Sequence, residues 1–369
     1  MKHLRRSPRT TVRLIFGLMA ILSMTACSSL GSLQSTAPRP QYLYAANAGS
    51  NTISAYRINA ITGALTPVAG SPFAAGNAAD SITVNPAGTF AYVLDYFGGT
   101  ISAYHIHAST GALTPISGSP FGTGYQGSRI AINPAGTFAY VASGYSNTVS
   151  AYSINASTGA LAPIPGSPFP AKSGASSVTI DPAGSFAYVV DGNIGTISVF
   201  SIDAATGALS PVKWSPFATG NAAASVTINS QGTFAYMAGR NGISVYHINA
   251  ATGALTPVAG SPFTAADDGP ESVVVNPAGN FAYVLGNSTI SAYRIHPTSG
   301  ALTPVAGSLP SYLASVVINP AGTFLYQGTG GGRAVSAFRV NPTTGALTPV
   351  PGSPFAAGAN PAYLAIAQP

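Results

Sequence analysis

Ionisable side chains are scarce in this chain, so those that share one repeated position stand out. Only 6% of the 369 residues are charged, against about 25% in typical soluble domains. Asp80 and Glu271 each lie six residues before a turn proline, and Arg129 lies one residue beyond the same position in another copy. A carboxylate can act as general base toward water, and an arginine can bind an acidic group or a developing oxyanion. The spacing predicts a catalytic site, with Glu271, the only glutamate, as first candidate.

The same position in all seven copies defines a ring of candidate contacts. Its members are Asp80, Ser128, Ser176, Ala224, Glu271, Ala314 and Tyr363. Ser128, Ser176 and Tyr363 are therefore candidate ligand-binding residues. The alternative hypothesis is that these charges are solvated, or form one salt bridge across the centre of the molecule.

A repeat of about 48 residues, beginning at Gln41, sets this spacing. The phrase Thr-Gly-Ala-Leu, once Ser-Gly-Ala-Leu, occurs seven times, and most copies also contain an Asn-Pro-Ala-Gly turn. Four short runs rich in β-branched and aromatic residues lie between these turns, and the proline in the last run, "LTPV", places it at a sheet edge. Four antiparallel strands per repeat predict an all-β protein, a seven-bladed β-propeller.

The ends of the chain predict how the ring closes. The first copy, "QYLYAANAGSNTISAY", begins at a second strand, and the terminal "YLAIAQP" matches a first strand. The first blade should therefore be closed by the C-terminal strand, which leaves no open edge. In "TFAYV", Phe90 and Tyr92 alternate with smaller residues, so we expect bulky faces to pack against small faces between blades.

Strand order also predicts two different rims. The fourth-to-first and second-to-third connections form a variable rim, whereas the Asn-Pro-Ala-Gly and Thr-Gly-Ala-Leu turns form a constant rim. Ten charged residues fall on the variable rim by this assignment: Asp80, Asp95, Arg129, Lys172, Asp191, Arg240, Asp267, Asp268, Glu271 and Arg333. Of these, Arg240, Asp267 and Asp268 are further candidates for ligand binding. Five aromatic residues on this rim can stack on a sugar or cover loop bases: Tyr96, Phe97, Tyr125, Tyr145 and Tyr312.

The first 26 residues have the features of an export signal. Five basic residues precede the apolar run "LIFGLMAILSMTA", which is shorter than the roughly 20 residues of a membrane-spanning helix. The only cysteine, Cys27, follows directly, and "LSMTAC" resembles the lipobox of bacterial lipoproteins, whose cysteine is lipidated after cleavage. The alternative is an ordinary secretory signal cleaved after Ala26. The predicted organisation is a signal at 1–26, a lipidated cysteine and flexible tether at 27–40, and the propeller at 41–369.

Composition limits the classes of ligand and partner that the protein is expected to bind. Without the signal, nine basic and eight acidic residues remain, so the sequence pI of 9.4 gives no support for nucleic-acid binding. A single cysteine excludes an intramolecular disulfide. No cluster has zinc spacing, and we expect neither a metal nor a cofactor. We expect a monomer attached to the membrane only through its lipid.

The repeat resembles a known family. The pattern "YVxxxxxxTISAYxINxxTGALTPVxGSPF" followed by "NPAG" resembles the seven-bladed lactonase-like propellers, which include bacterial 6-phosphogluconolactonase and fungal carboxymuconate cyclase. It is also similar to the YVTN repeats of surface-layer propellers. The resemblance implies hydrolysis of a sugar or carboxylate lactone. The cyclase branch is associated with His, Glu and Arg on the ligand face, but the histidines here fall on outer strands or the constant rim, at His105, His107, His247 and His296.

Two functions therefore stay open. The first is an exported, lipid-anchored lactone hydrolase in which Glu271 or Asp80 activates water and Arg129 stabilises the oxyanion. The second is a non-catalytic binding or scaffold propeller at the cell surface that recognises a glycan or protein. Either would belong in the bacterial cell envelope, and Ser28 after the cysteine favours the outer membrane in a Gram-negative cell.

Overall fold

The computed structural model describes residues 39–123, 127–219, 223–240, 242–266, 269–311 and 314–369, without the side chains of 223 and 224. The predicted signal, Cys27 and nearly all of the tether lie outside these residues. The regular elements within them are β-strands in seven antiparallel sheets, which confirms the seven-bladed propeller. None of the described segments forms a helix of the length and hydropathy that crossing a membrane requires.

Every blade has the same strand order from the ring axis outward. The innermost strands are Pro361–Ala367, Ala79–Val84, Arg129–Ile132, Ala175–Ile180, Ala223–Ile228, Ser272–Val275 and Val316–Ile318. The second strands are Gln41–Asn47, Phe90–Asp95, Phe138–Ser143, Phe186–Asp191, Phe234–Gly239, Phe281–Leu285 and Phe324–Gly328. The third strands are Thr52–Ile58, Thr100–Ile106, Thr148–Ile154, Thr196–Ile202, Gly242–Ile248, Thr289–Ile295 and Ala334–Val340.

The outer edge of a blade consists of two short segments that share the third strand. The first segments are Leu65–Pro67, Leu113–Pro115, Leu161–Pro163, Leu209–Pro211, Leu255–Pro257, Leu302–Pro304 and Leu347–Pro349. The second segments are Phe73–Ala74, Phe121–Gly122, Phe169–Pro170, Phe217–Ala218, Leu309–Pro310 and Phe355–Ala356, and one bridge between Ile243 and Phe263 takes their place in the remaining blade.

The "LTPV" runs predict the first of these edge segments, whereas the repeat gives no strand signal for the second. In the second blade Tyr104 lies opposite Pro115 and Ile101 opposite Phe121, so the two segments cover opposite ends of one strand. Between them, Ser119 accepts a hydrogen bond from the backbone N–H of Ala103 at 2.9 Å. The serine hydroxyl thus accepts from a backbone donor that neither segment pairs, and the same bond recurs in the five other blades that carry a Ser-Pro-Phe phrase.

The ring closes as predicted. Pro361–Ala367 pairs antiparallel with Gln41–Asn47, placing Tyr42 opposite Ala367 and Ala46 opposite Tyr363. Each innermost strand contacts the innermost strands of both neighbouring blades, including the pair formed by the C-terminal strand and Ala79–Val84. The two ends of the propeller are therefore tied by the same contacts that join the other blades.

Neighbouring blades interlock through the second strand and the Thr-Gly-Ala-Leu turn. Phe90 and Tyr92 pack against Ala139 of the next blade, as the alternation predicted. The Tyr92 hydroxyl donates a buried hydrogen bond of 2.9 Å to the carbonyl of Gly159 in that blade's turn. Gly159 has a φ of +72°, and a Cβ there would lie 2.5 Å from the Phe90 ring. The glycine thus forms a socket for the aromatic residue, and the same pairing recurs around the ring.

We predict that filling one socket destabilises the protein more than backbone strain alone. Gly159→Ala should lower the free energy of unfolding by about 2–5 kcal/mol, because it combines a left-handed φ with overpacking. Gly307→Ala, with a φ of +96° and no atom near the new Cβ, should cost about 1–2 kcal/mol. Gly122→Ala has open space and no positive φ, so it should change stability by less than about 0.5 kcal/mol. Denaturant unfolding of the three variants measures this order, and equal losses at Gly159 and Gly307 would contradict the socket.

Candidate functional site

A cavity of about 580 Å³ lies at the mouth of the ring on the variable rim. Six of the seven aligned positions line it: Asp80, Ser128, Ser176, Glu271, Ala314 and Tyr363. Arg129 lines it as well, whereas the side chain of Ala224 is outside the described part of the chain. The structure thus brings the three predicted catalytic residues and three predicted ligand contacts into one cavity, the channel-mouth cavity.

β-bulges at the start of two innermost strands place Asp80 and Ser176 at the cavity. In the second blade Ala79 pairs with Asp95 and Ser81 with Leu94, so Asp80 is the extra residue of a β-bulge. Ser176 occupies the same position between Ala175 and Ser177 in its own blade. A bulge leaves its extra residue outside the ladder and bends the strand, so the side chain is free to face the mouth.

Arg129 and Tyr363 form the best-defined contact in the channel-mouth cavity. The guanidinium carbon of Arg129 lies 4.0 Å from the centroid of the Tyr363 ring, within range of a cation–π interaction. Tyr363 comes from the C-terminal strand and Arg129 from the third blade, so the contact crosses the mouth between blades that are not adjacent. The stacking fixes the plane of the guanidinium, which is the condition for directed hydrogen bonds to a ligand.

The acidic groups of the cavity are electrostatically linked. Burial raises the pKa of Asp80, and the nearby charge of Arg129 lowers it in part. Glu271 is exposed at the wall, and partial burial of its carboxyl group raises its pKa. Burial also raises the pKa of Tyr363, which Arg129 lowers and both carboxylates raise further. These shifts bring the carboxyl groups closer to the neutral range, where a general base is most effective.

Other candidates lie elsewhere or outside the described residues. Arg240 is exposed on the variable rim and does not line the channel-mouth cavity. Asp267 and Asp268 lie outside the described residues, as do Tyr125 and Tyr312. The described histidines are exposed at their predicted positions, and no cluster of three or more metal-ligating side chains occurs within the described ranges.

Two of the rim carboxylates are structural. Asp95 and Asp191 end their second strands and are 2% and 0% exposed. One oxygen of Asp95 accepts hydrogen bonds from Thr100 at 2.9 Å and Ser102 at 2.7 Å, and Asp191 has the same pair of partners in its blade. In the first blade an amide replaces the acid, and Asn47 donates to Thr52 and Ser54. These carboxylates hold the second and third strands together rather than face a ligand.

We predict that Asp95→Asn makes stability less dependent on pH. Burial raises the pKa of Asp95 in the folded protein, while hydrogen bonds from Ser102 and Thr100 oppose the shift. A raised pKa means that folding takes up a proton, so this stabilisation is present at acid pH and is lost as the pH rises through the folded-state pKa. Asp95→Asn introduces the residue type found at Asn47. At neutral pH its free energy of unfolding should equal that of the wild type or exceed it by up to about 1 kcal/mol.

Denaturant unfolding from acid to neutral pH measures this effect. Asp203 is the comparison carboxylate of opposite behaviour, because hydrogen bonds from Thr206 and Ala205 lower its pKa in the folded protein. Asp203 therefore contributes folding stability that is present above its unfolded-state pKa and is lost as the pH falls through its folded-state pKa. A wild type whose stability has the same pH slope as Asp95→Asn would refute the assignment.

The structure adds cavity residues that the repeat alignment missed. Tyr96 was predicted only as a rim aromatic, yet it is half-buried and lines the cavity together with Asn193 and Asn360. Asn360 has a φ of +52°, and its side chain accepts a hydrogen bond from the Gly331 N–H at 3.1 Å. In the sequence, Asn360 could have been noticed as an asparagine in a variable connection, because asparagine tolerates a positive φ better than most residues.

A family model described as lactonase, 7-bladed beta-propeller, matches residues 33–216 and 211–318, together more than half of the chain. No curated protein matches the sequence significantly.

Solved structures share the fold at low sequence identity. A protein of Bacteroides fragilis, provisionally assigned as a 6-phosphogluconolactonase, has a TM-score of 0.76 at 19% identity, covering 90% of this chain and 99% of its own. A similarly assigned protein of Bacteroides uniformis has a TM-score of 0.77 at 18% identity, with 89% and 99% covered. The periplasmic gluconolactonase of Pseudomonas aeruginosa has a TM-score of 0.75 at 17% identity, with 89% and 100% covered. These likenesses support the propeller fold.

Proposed function

Because this chain belongs to the family of seven-bladed β-propeller lactonases, we propose that its channel-mouth cavity hydrolyses a small sugar lactone. One observation carries the proposal: Asp80, Glu271, Arg129 and Tyr363, from four different blades, line a single cavity. Among the described residues, charged groups are few, and three of them converge here. A cavity of this volume is typical of small-molecule sites, which span about 300–1,000 Å³.

The proposed reaction uses these groups in the usual order of ester hydrolysis. Asp80 or Glu271 takes a proton from a water molecule, whose oxygen then adds to the lactone carbonyl carbon. Arg129 stabilises the resulting oxyanion. The bond between this carbon and the ring oxygen then breaks. The protonated side chain of Asp80 or Glu271 returns its proton to the leaving alkoxide, which gives the open hydroxy acid. The raised pKa of each carboxyl group makes its carboxylate a stronger base for the first of these proton transfers.

The charge of the cavity favours an uncharged substrate. Two carboxylates and one guanidinium line the wall, and the guanidinium already lies over Tyr363 near Asp80. A phosphorylated lactone would add about two negative charges to a cavity in which carboxylates already outnumber the guanidinium. Serine hydroxyls at Ser128, Ser176 and Ser272 suit the hydroxyl groups of a sugar ring. We therefore expect neutral aldonolactones to be preferred over phosphorylated or muconate-type lactones.

A lactone panel tests the proposal. Purified protein is assayed with glucono-δ-lactone, its 6-phosphate and a muconolactone, beside Glu271→Gln, Asp80→Asn and Arg333→Ala. Arg333 is exposed on the same rim outside the cavity, so its replacement should leave turnover unchanged. We expect the highest kcat/KM for the neutral lactone and loss of turnover in at least one carboxylate variant. The absence of turnover above buffer on every lactone would refute hydrolysis and favour a binding or scaffold role.

We also propose that the protein is exported and anchored in the cell envelope through lipidated Cys27. The basic start, the short apolar run and the position of the single cysteine support this. Stable attachment takes more than one acyl chain, which a diacylglyceryl cysteine supplies. Labelled palmitate should enter the wild type and not Cys27→Ala, and equal labelling of both would refute the anchor.

A further inference from the structure

We propose that the variable rim carries a groove for a neutral saccharide chain, extending from the channel-mouth cavity across the first four blades. Two further cavities, of about 540 and 480 Å³, flank the central one. Tyr96 lines all three, Ser128 and Ser176 line the central and larger flanking cavities, and Asp80 lines the central and smaller ones. Because the flanking cavities adjoin the central one at shared lining residues, we infer that the three form one depression, which we call the rim groove.

The rim groove is longer than a single sugar needs. Each of its three parts has the volume typical of a whole small-molecule site. A monosaccharide or its lactone fits in the central part alone, which leaves the two flanking parts without an occupant. A chain of several sugar units would occupy the whole depression.

The chemistry of the larger flanking part suits an uncharged, hydroxylated ligand. No charged side chain is among its described lining residues, which include Tyr145, Asn147, Ser173 and Asn193. Gly174 also lines it, and a Cβ there would lie 2.6 Å from the side-chain carbon of Asn193, so the glycine leaves room for this amide. Amide and hydroxyl groups can donate to and accept from sugar hydroxyls, whereas an acidic or basic polymer would find no opposite charge in this part.

Large exposed apolar side chains recur on the variable rim in three consecutive blades, and two of them, Phe97 and Tyr145, line the flanking parts of the groove. Phe97, Tyr145 and Ile194 occupy equivalent second-to-third connections and are 68%, 70% and 50% exposed. Phe97 also lines the smaller flanking part, and Tyr96 meets its ring edge to face at 5.2 Å between centroids. Aromatic rings provide a large apolar contact with little loss of conformational freedom. One face of a pyranose carries only C–H groups, so it can lie on such a ring while its hydroxyls reach the polar wall.

Calorimetric titration of the full-length protein tests the groove. The probes are cellohexaose, maltohexaose, chitohexaose and mannohexaose, each beside its monosaccharide. The variants are Phe97→Ala and Tyr145→Ala, and the control is Ile61→Ala, which removes an 81% exposed apolar side chain from the constant rim. Since all three side chains are exposed, their thermal unfolding midpoints should match the wild type.

We expect at least one hexasaccharide to bind about tenfold or more tightly than its monosaccharide. Phe97→Ala or Tyr145→Ala should weaken that binding at least about fivefold, as replacing an aromatic anchor does, and Ile61→Ala should not. Failure of all four hexasaccharides to exceed their monosaccharides, or full binding by both aromatic variants, would overturn the proposal. Binding is measured without turnover, so this result is independent of whether the central cavity hydrolyses lactones.

Discussion

Arg129→Ala is expected to lower the kcat of lactone hydrolysis at least about 100-fold, because it removes the only cation that lines the described wall of the channel-mouth cavity. Arg129→Lys keeps the charge but loses the planar stacking on Tyr363, so it should retain an intermediate rate. Arg333→Ala is the matched control on the same rim. The assay is steady-state hydrolysis of the preferred lactone, with folding checked by thermal unfolding.

The pH profile separates a catalytic role of Arg129 from a purely structural one. Arg129 lowers the pKa of Asp80, so its removal should raise that pKa. If Asp80 is the general base, the acid limb of kcat/KM moves to higher pH in Arg129→Ala and disappears in Asp80→Asn. An Arg129→Ala enzyme within about threefold of the wild type, with an unchanged acid limb, would exclude this mechanism.

Deleting residues 361–369 is expected to abolish the folded state. The deletion removes the innermost strand of the first blade, with buried Leu364 and Ala365, and uncovers one edge of Gln41–Asn47. It also removes the contacts of this strand with both neighbouring innermost strands. The loss should exceed the total stability of a typical domain, about 5–15 kcal/mol, so we expect aggregated protein without a cooperative transition.

Two comparisons identify the missing strand as the cause. Removal of only Gln368 and Pro369, which lie beyond the last paired residue, should leave the unfolding midpoint nearly unchanged. A peptide of residues 361–369 added in trans should partly restore soluble protein. A truncated chain that unfolds at the wild-type midpoint would show that closure of the ring contributes little to stability.

The ring of site residues could be predicted because the repeat sets the distance between each turn proline and the start of an innermost strand. Asp80 and Ser176 have that spacing and line the channel-mouth cavity, and Tyr363 lines it as well, although its pairing with Ala46 makes Ala362 the extra residue of that strand. The spacing does not indicate the β-bulge that turns Asp80 out of the ladder, because the bulge depends on pairing with the neighbouring strand.

Burial of the strand-end carboxylates could not be predicted from charge. Asp95 was assigned to the rim with Arg240, yet Asp95 is buried and Arg240 exposed. The difference lies in the partners: Thr100 and Ser102 follow Asp95 at intervals that put their hydroxyls on the adjacent strand. Asn47 has the same two partner types at the same intervals, so the pattern is visible in the sequence once its meaning is known.

The aromatic socket gives every blade a direction. A blade inserts two aromatic side chains, a phenylalanine and a tyrosine in six blades and Tyr42 and Tyr44 in the first, into the turn of the blade that follows it. It offers its own glycine to the blade that precedes it. Such head-to-tail contacts continue without limit unless the rotation between units returns to its origin, which here happens after seven. An isolated repeat would keep one empty socket and one uncovered aromatic pair, so separate copies of a single repeat have the complementary surfaces to assemble into a ring of identical subunits.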